Sequence, residues 1–87
     1  MKVFKKIMLP NGESVQLTLQ EFKGKNYFNL RVWYQDGRTG EWRPSQKGVT
    51  ILIDLLPEIL DGLLAIEEEA AKTGIMEEES RRHARTA

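Results

Sequence analysis

Residues 22–48 read FKGKNYFNLRVWYQDGRTGEWRPSQKG, and this stretch decides the fold. Residues 26–35 within it, NYFNLRVWYQ, are rich in aromatic and β-branched side chains and alternate with period two, which predicts a strand. Phe28, Leu30 and Val32 fall on one side, and Tyr27, Asn29, Arg31 and Trp33 on the other. Alternation sends Tyr34 to the apolar side, so either Trp33 or Tyr34 is the exposed ring unless a bulge presents both. Lys23-Gly24-Lys25 is a tight turn ahead of this strand, and Asp36-Gly37-Arg38-Thr39-Gly40 is a loop behind it. Glu41-Trp42-Arg43 reads as a short strand ending at Pro44, and Ser45-Gln46-Lys47-Gly48 as a second polar turn.

The flanks continue the pattern. Upstream, residues 14–22 (SVQLTLQEF) place Val15, Leu17 and Leu19 on a core face and Gln16, Thr18, Gln20 and Phe22 opposite. Pro10-Asn11-Gly12 is turn chemistry, preceded by a strand over residues 2–9. Downstream, Val49, Ile51 and Ile53 alternate in a last strand; Asp54 is the expected helix N-cap and Pro57 lies in the first helical turn. The helix is predicted to run to about Lys72, with Gly74 near its C-terminal cap.

At 100° per residue, Leu55, Leu56, Ile59, Leu60, Leu63, Leu64, Ile66, Ala70 and Ala71 cover about half the helix circumference, more than the roughly 100° stripe that one sheet needs. The excess predicts packing on the chain's own sheet and on a second helix, most simply that of a twin subunit. The expected fold is therefore α+β: a four-stranded antiparallel sheet, then a C-terminal helix, in a homodimer paired through its helices. Residues 1–74 form the domain and 75–87 a charged tail, where Glu77 with Arg81 and Glu78 with Arg82 are spaced for weak helical ion pairs.

Composition narrows the function. The chain has 87 residues and no cysteine, so disulfides and thiolate metal sites are excluded and a second subunit would help so small a core. The formal net charge is zero, but it hides a division. Residues 1–50 carry nine Lys or Arg against four Asp or Glu, and residues 51–87 carry four against nine, so the halves stand at plus five and minus five. A ligand feels the local field, and the sheet half is basic. The single histidine, His83, lies in the tail, and no nucleophile with a base or metal-ligand set can be assembled. The expectation is a non-enzymatic protein with no cofactor, no catalytic or metal site and no small-molecule substrate. No segment reads as a signal peptide or membrane span, which points to a cytoplasmic protein, nucleoid-associated if bacterial.

What remains is a basic sheet carrying rings. Phe22 ends a polar, solvent-facing row and adjoins Lys23 and Lys25. Cations for phosphates and flat faces for bases are what an unpaired nucleic-acid strand requires. The candidate contacts are Phe22, Lys23, Lys25, Arg31, Trp33, Tyr34, Arg43 and Lys47, with single-stranded DNA, and RNA as a further ligand, as the expected partner. The alternative is a protein interaction module in which Trp33, Trp42 and Tyr34 form an aromatic contact surface and the lysines only solubilise.

Glu21-Phe22-Lys23-Gly24-Lys25, the strand ending Arg31-Val32-Trp33-Tyr34, the Asp-Gly loop, Arg43-Pro44 and Lys47-Gly48, followed by an alternating strand and a helix, resemble the C-terminal domain of transcriptional positive cofactor 4. The similarity covers about residues 12–70 and is nearest to the short bacterial members. The resemblance implies a homodimer of curved four-stranded antiparallel sheets with paired C-terminal helices, binding single-stranded DNA without sequence readout. It also implies that Phe22 and Tyr34 stack bases and that Lys23, Lys25, Arg31, Arg43 and Lys47 contact phosphates. This sequence departs at Gln46, where a second basic residue is common, at Glu13 and Val15, and in a 36–40 loop longer by one residue.

Overall fold

The computed structural model describes residues 1–76. The charged tail and its expected ion pairs, as well as His83, lie outside the described residues, apart from Ile75 and Met76. The chain divides into two compact units, a sheet over Met1–Asp54 and a helical unit from Leu55 onward.

The sheet unit has four antiparallel strands in sequence order, β1 (Lys2–Met8), β2 (Ser14–Phe22), β3 (Lys25–Gln35) and β4 (Trp42–Leu52). Each turn follows from its residues. Between β1 and β2, Gly12 takes φ +90°, the Leu9 N–H donates to the Glu13 carbonyl at 2.8 Å, and the Glu13 N–H donates to Asn11 Oδ1 at 3.0 Å. Between β2 and β3, Lys23 and Gly24 have φ of +51° and +78°, the paired positive values of the two-residue hairpin turn whose twist matches its strands. Between β3 and β4, Asp36 organises the loop. Its Oδ1 accepts the N–H groups of Arg38 and Thr39 at 2.8 and 3.3 Å, and its N–H donates to the Glu41 carbonyl at 2.8 Å.

Two expectations about this unit are corrected. The short strand at 41–43 and the strand from 49 are one strand, and residues 45–48 are not a turn. Arg31 faces Gly48 while Trp33 faces Pro44, so β4 carries extra residues as a bulge between them. Side chains satisfy the backbone there: Ser45 Oγ donates to the Val32 carbonyl (2.7 Å) and accepts the Lys47 N–H (3.1 Å), and Arg31 Nη1 donates to the Ser45 carbonyl (3.1 Å). Pro44 is tolerated because β4 is an edge strand.

The second correction concerns which face is covered. Val15, Leu17 and Leu19 are only half-buried in the single chain, whereas Ser14, Gln16, Thr18 and Asn29 are buried, Ser14 completely. The cause is curl. The Lys6 ammonium on edge strand β1 lies 4.0 Å from the centre of the Trp42 ring on the opposite edge strand, β4. Flat strands would hold these edges roughly 14 Å apart. The polar row therefore lines the inside of the curl and bonds to itself. Gln16 Nε2 donates to Ser14 Oγ (3.2 Å), Asn29 Nδ2 to Gln20 Oε1 (2.9 Å), Thr50 Oγ1 to Asn29 Oδ1, and Arg31 Nη2 to Thr50 Oγ1 (3.3 Å). Only Thr18 Oγ1 is buried without a partner among the described residues.

In the second unit, a 3-10 turn (Ile53–Leu55, beginning in the sheet unit) leads into helix α1 (Leu56–Lys72) with Pro57 in its first turn. Asp54 is not the N-cap. The added 3-10 turn moves that position to Leu55, which has no capping side chain. The C-terminus closes as expected, with Gly74 at φ +77° and the Ile75 N–H donating to the Ala70 carbonyl at 3.0 Å. In the single chain Leu60, Leu63, Leu64 and Ile66 are exposed.

Candidate nucleic-acid interface

Antiparallel pairing places directly opposed residues on the same side of the sheet, so register sorts the candidate residues. Phe22 faces Lys25, Gln20 faces Tyr27, Thr18 faces Asn29, Gln16 faces Arg31 and Ser14 faces Trp33. Phe22, Lys25, Arg31 and Trp33 therefore share the concave face. Tyr34 is paired with Arg43 on the opposite face, beside the row of Val32 and Leu30. Lys23 occupies the β2–β3 turn and Lys47 the β4 bulge. The eight candidates thus form one main group, a ring and a cation across the sheet from it, and two lysines at the margins.

Within the main group, Phe22 is 58% exposed at the strand end, because the tight turn leaves no residue beyond it to cover the ring. The Lys23 ammonium lies 5.4 Å from the centre of that ring. Lys23, Lys25 and Lys47 are exposed and form no ion pair among the described residues. A shallow cleft of about 340 Å³ beside Lys25 is lined by Gly24, Asn26, Leu52, Ile53 and Asp54.

Two of the predicted cations have structural work as well. Arg31 is half-buried and spends two donors on Ser45 and Thr50, which fixes the bulge that carries Lys47 and leaves the rest of its five-donor fork unassigned. Arg43 Nε pairs with Asp36 Oδ2 at 2.9 Å and its Nη2 with Glu41 Oε2 at 3.3 Å, so its charge is partly offset. The Arg38 and Thr39 amides, and then Arg43, hold the Asp36 carboxyl below its ordinary range.

The structure also orders the rings. Tyr34, at 41%, is the exposed one of the adjacent pair, while Trp33 is half-buried. Trp33 and Trp42 share the concave face and Tyr34 lies opposite, so these three rings do not form a single patch. Sequence reasoning passed over Lys6, which sits in one cross-sheet row with Gln16, Arg31 and Gly48, and over Phe4, which is 61% exposed. The clustering of Lys2, Lys5 and Lys6 without an acidic neighbour was the available signal.

Gly48 completes the row. A Cβ there would lie 2.6 Å from the Leu30 carbonyl oxygen and 2.7 and 2.8 Å from Arg31 Cα and Cβ. The close approach of β4 to β3 at Arg31 therefore requires glycine.

An open, curled four-stranded antiparallel sheet followed by one helix, with rings and cations set along it, defines a small α+β domain with a basic sheet surface. Residues 9–62 match the family described as Transcriptional Coactivator p15 (PC4), and the chain belongs to that family. It is 33% identical over 63 residues to the RNA polymerase II transcriptional coactivator SUB1 of Saccharomyces cerevisiae, covering 72% of this chain and 22% of the yeast protein. It is 41% identical over 59 residues to a putative RNA polymerase II transcriptional coactivator of Caenorhabditis elegans, covering 60% of this chain and 48% of that protein. The chain thus spans less than half the length of either relative. Among solved structures, a PC4 homolog from Burkholderia pseudomallei superposes with a TM-score of 0.66 at 23% identity, covering 75% of this chain and 94% of that one, a likeness of fold. The bacteriophage T5 homolog of the eukaryotic coactivator PC4, described as implicated in recombination-dependent DNA replication, gives 0.63 at 26% identity, covering 94% and 93%.

Among the described residues, no group of three or more His, Cys, Asp or Glu side chains is placed to hold a metal ion, and no helix is long and apolar enough to cross a membrane.

Proposed function

We propose that this domain binds single-stranded DNA, with RNA as a further ligand, as a homodimer and without sequence readout. The observation that carries the reading is Phe22, a solvent-exposed ring directly across from Lys25, flanked by Lys23 and sharing the concave face with Arg31. Such a group stacks a base while the cations hold the phosphates on either side. Lys47 on the β4 edge and the Tyr34–Arg43 pair continue the track where the strand crosses that edge to the other face. None of these contacts reads a base edge, so discrimination between sequences is weak.

The exposed leucines of α1 support the dimer. Full burial of such a side chain is worth about 1.5–3 kcal/mol, which favours covering them with the same helix of a second copy. The yeast relative's description points to transcription and the phage homolog's to DNA replication; both processes expose unpaired DNA. The reading puts the protein in the cytoplasm, and on the nucleoid if the cell is bacterial.

The test is fluorescence anisotropy with labelled oligothymidine and a matched duplex at two salt concentrations. Phe22→Ala is expected to lose about 1–3 kcal/mol of single-strand affinity. Replacing Lys25 by Gln is expected to lower the salt slope by about 0.7. No binding of the oligonucleotide at low salt would end the proposal.

A further inference from the structure

Strand β1 lies ahead of the stretch that matches the family, residues 9–62, and it has a composition of its own. Lys2, Lys5 and Lys6 fall within seven residues, and the first carboxylate in the chain is Glu13. The strand is an edge, paired only to β2. Its register slips between Val3, opposite Thr18, and Lys5, opposite Leu17, so Phe4 is the unpaired residue of a bulge. A bulge re-aims its side chain, and Phe4 is 61% exposed with the Lys2 ammonium 5.0 Å from its ring centre. The same unit, an exposed phenylalanine carrying a lysine over its face, occurs at Phe22 and Lys23.

Three lysines on an edge strand oppose pairing with another copy of that edge, since like charges would be brought together. They favour an anionic partner, and the ring beside them favours one with flat faces.

We infer that β1 carries a second stacking site for the same single strand, in which Phe4 holds a base and Lys2 and Lys5, paired with Leu19 and Leu17 on one face, hold the flanking phosphates. The inference rests on the single-strand reading given above. Thr18, beside the bulge, is four residues from Phe22 along β2, roughly 14 Å of strand, and Lys2 beside Phe4 pairs with Leu19 on the face opposite Phe22. Because β1 is an edge, one strand that rounds it from the concave face can engage both rings.

Anisotropy with labelled 20-nucleotide oligothymidine on the full chain tests this, using Phe4→Ala, Phe4→Trp and Phe22→Ala. Phe4→Ala is expected to weaken binding roughly 5- to 150-fold, and Phe4→Trp to restore it. Because the ring is exposed, size-exclusion elution and the unfolding midpoint are expected to stay unchanged. If Phe4→Ala binds like the unaltered chain while Phe22→Ala is weakened, the second site is refuted and the parent reading stands. A Phe4→Ala chain that changes oligomeric state but keeps its oligonucleotide affinity refutes it too, assigning β1 to a protein contact. Absence of binding by the unaltered chain overturns both.

Discussion

Gly48→Ala is the sharpest perturbation the sheet offers. The new methyl would meet a backbone oxygen and the Cα and Cβ of Arg31 at 2.6–2.8 Å, where ordinary contact is about 3.5–4.0 Å. None of these atoms is the free end of a side chain, so β4 must move off β3 by roughly 0.8 Å. Overpacking of this kind costs about 1–3 kcal/mol. The displacement also stretches ladder hydrogen bonds around the Arg31–Gly48 pair, each worth about 1 kcal/mol, for a total of about 2–4 kcal/mol. With a urea dependence of about 1.5 kcal/mol per molar, the unfolding midpoint falls by roughly 1.3–2.7 M. The assay is urea unfolding followed by far-ultraviolet circular dichroism at one fixed chain concentration. A midpoint within 0.3 M of the unaltered chain's, at about the same slope, would show that the β3–β4 approach is looser than described and would refute the reasoning.

Three further outcomes are expected. The Asp36 carboxyl should titrate below its ordinary 3.8, and, as for any acid depressed on folding, the stability it adds is present above the unfolded value of about 3.9 and lost as pH falls through the folded one. Carbon-13 NMR of the Asp36 carboxyl would show this; with Arg43→Gln the value should rise only partway, because the Arg38 and Thr39 amides remain. Thr18→Val removes a buried hydroxyl that has no partner and should leave stability unchanged or raise it by up to about 1 kcal/mol, read by thermal unfolding. Leu63→Glu on the exposed face of α1 should yield monomers in sedimentation velocity at a concentration where the unaltered chain is dimeric; an unaltered chain that sediments as a monomer would contradict the dimer.

The strands and hairpin turns were legible because their signals are local. Alternation in Val15–Leu19 and Phe28–Val32 marks sides, and Lys23-Gly24 and Asn11-Gly12 mark reversals. Alternation does not say which side is hidden. That depends on the curl bringing Lys6 to Trp42, a contact between edge strands far apart in sequence, and it made the hydroxyl and amide row the buried one. Pro44 and the polar Ser45–Lys47 run read as a break for a similar reason. The bulge survives only because Ser45 and Arg31 satisfy its backbone, a tertiary effect. In the candidate site, the polar row that Phe22 ends is buried, and the ring is exposed because it is the last residue of β2, before the tight turn. The partnering of Arg43 with Asp36, and of Arg31 with Ser45 and Thr50, requires a folded loop and bulge to exist first.

The hydrogen-bonded strip from Ser14 to Thr50 also acts as a key for strand alignment. If β2 slid by a single residue against β3, valine and leucine would swing into the curl and leave Asn29 facing them without its bond to Gln20. A greasy lining would forgive such a slip, but amides and hydroxyls do not. The shape offered to a ligand is thereby fixed during folding, before any ligand arrives.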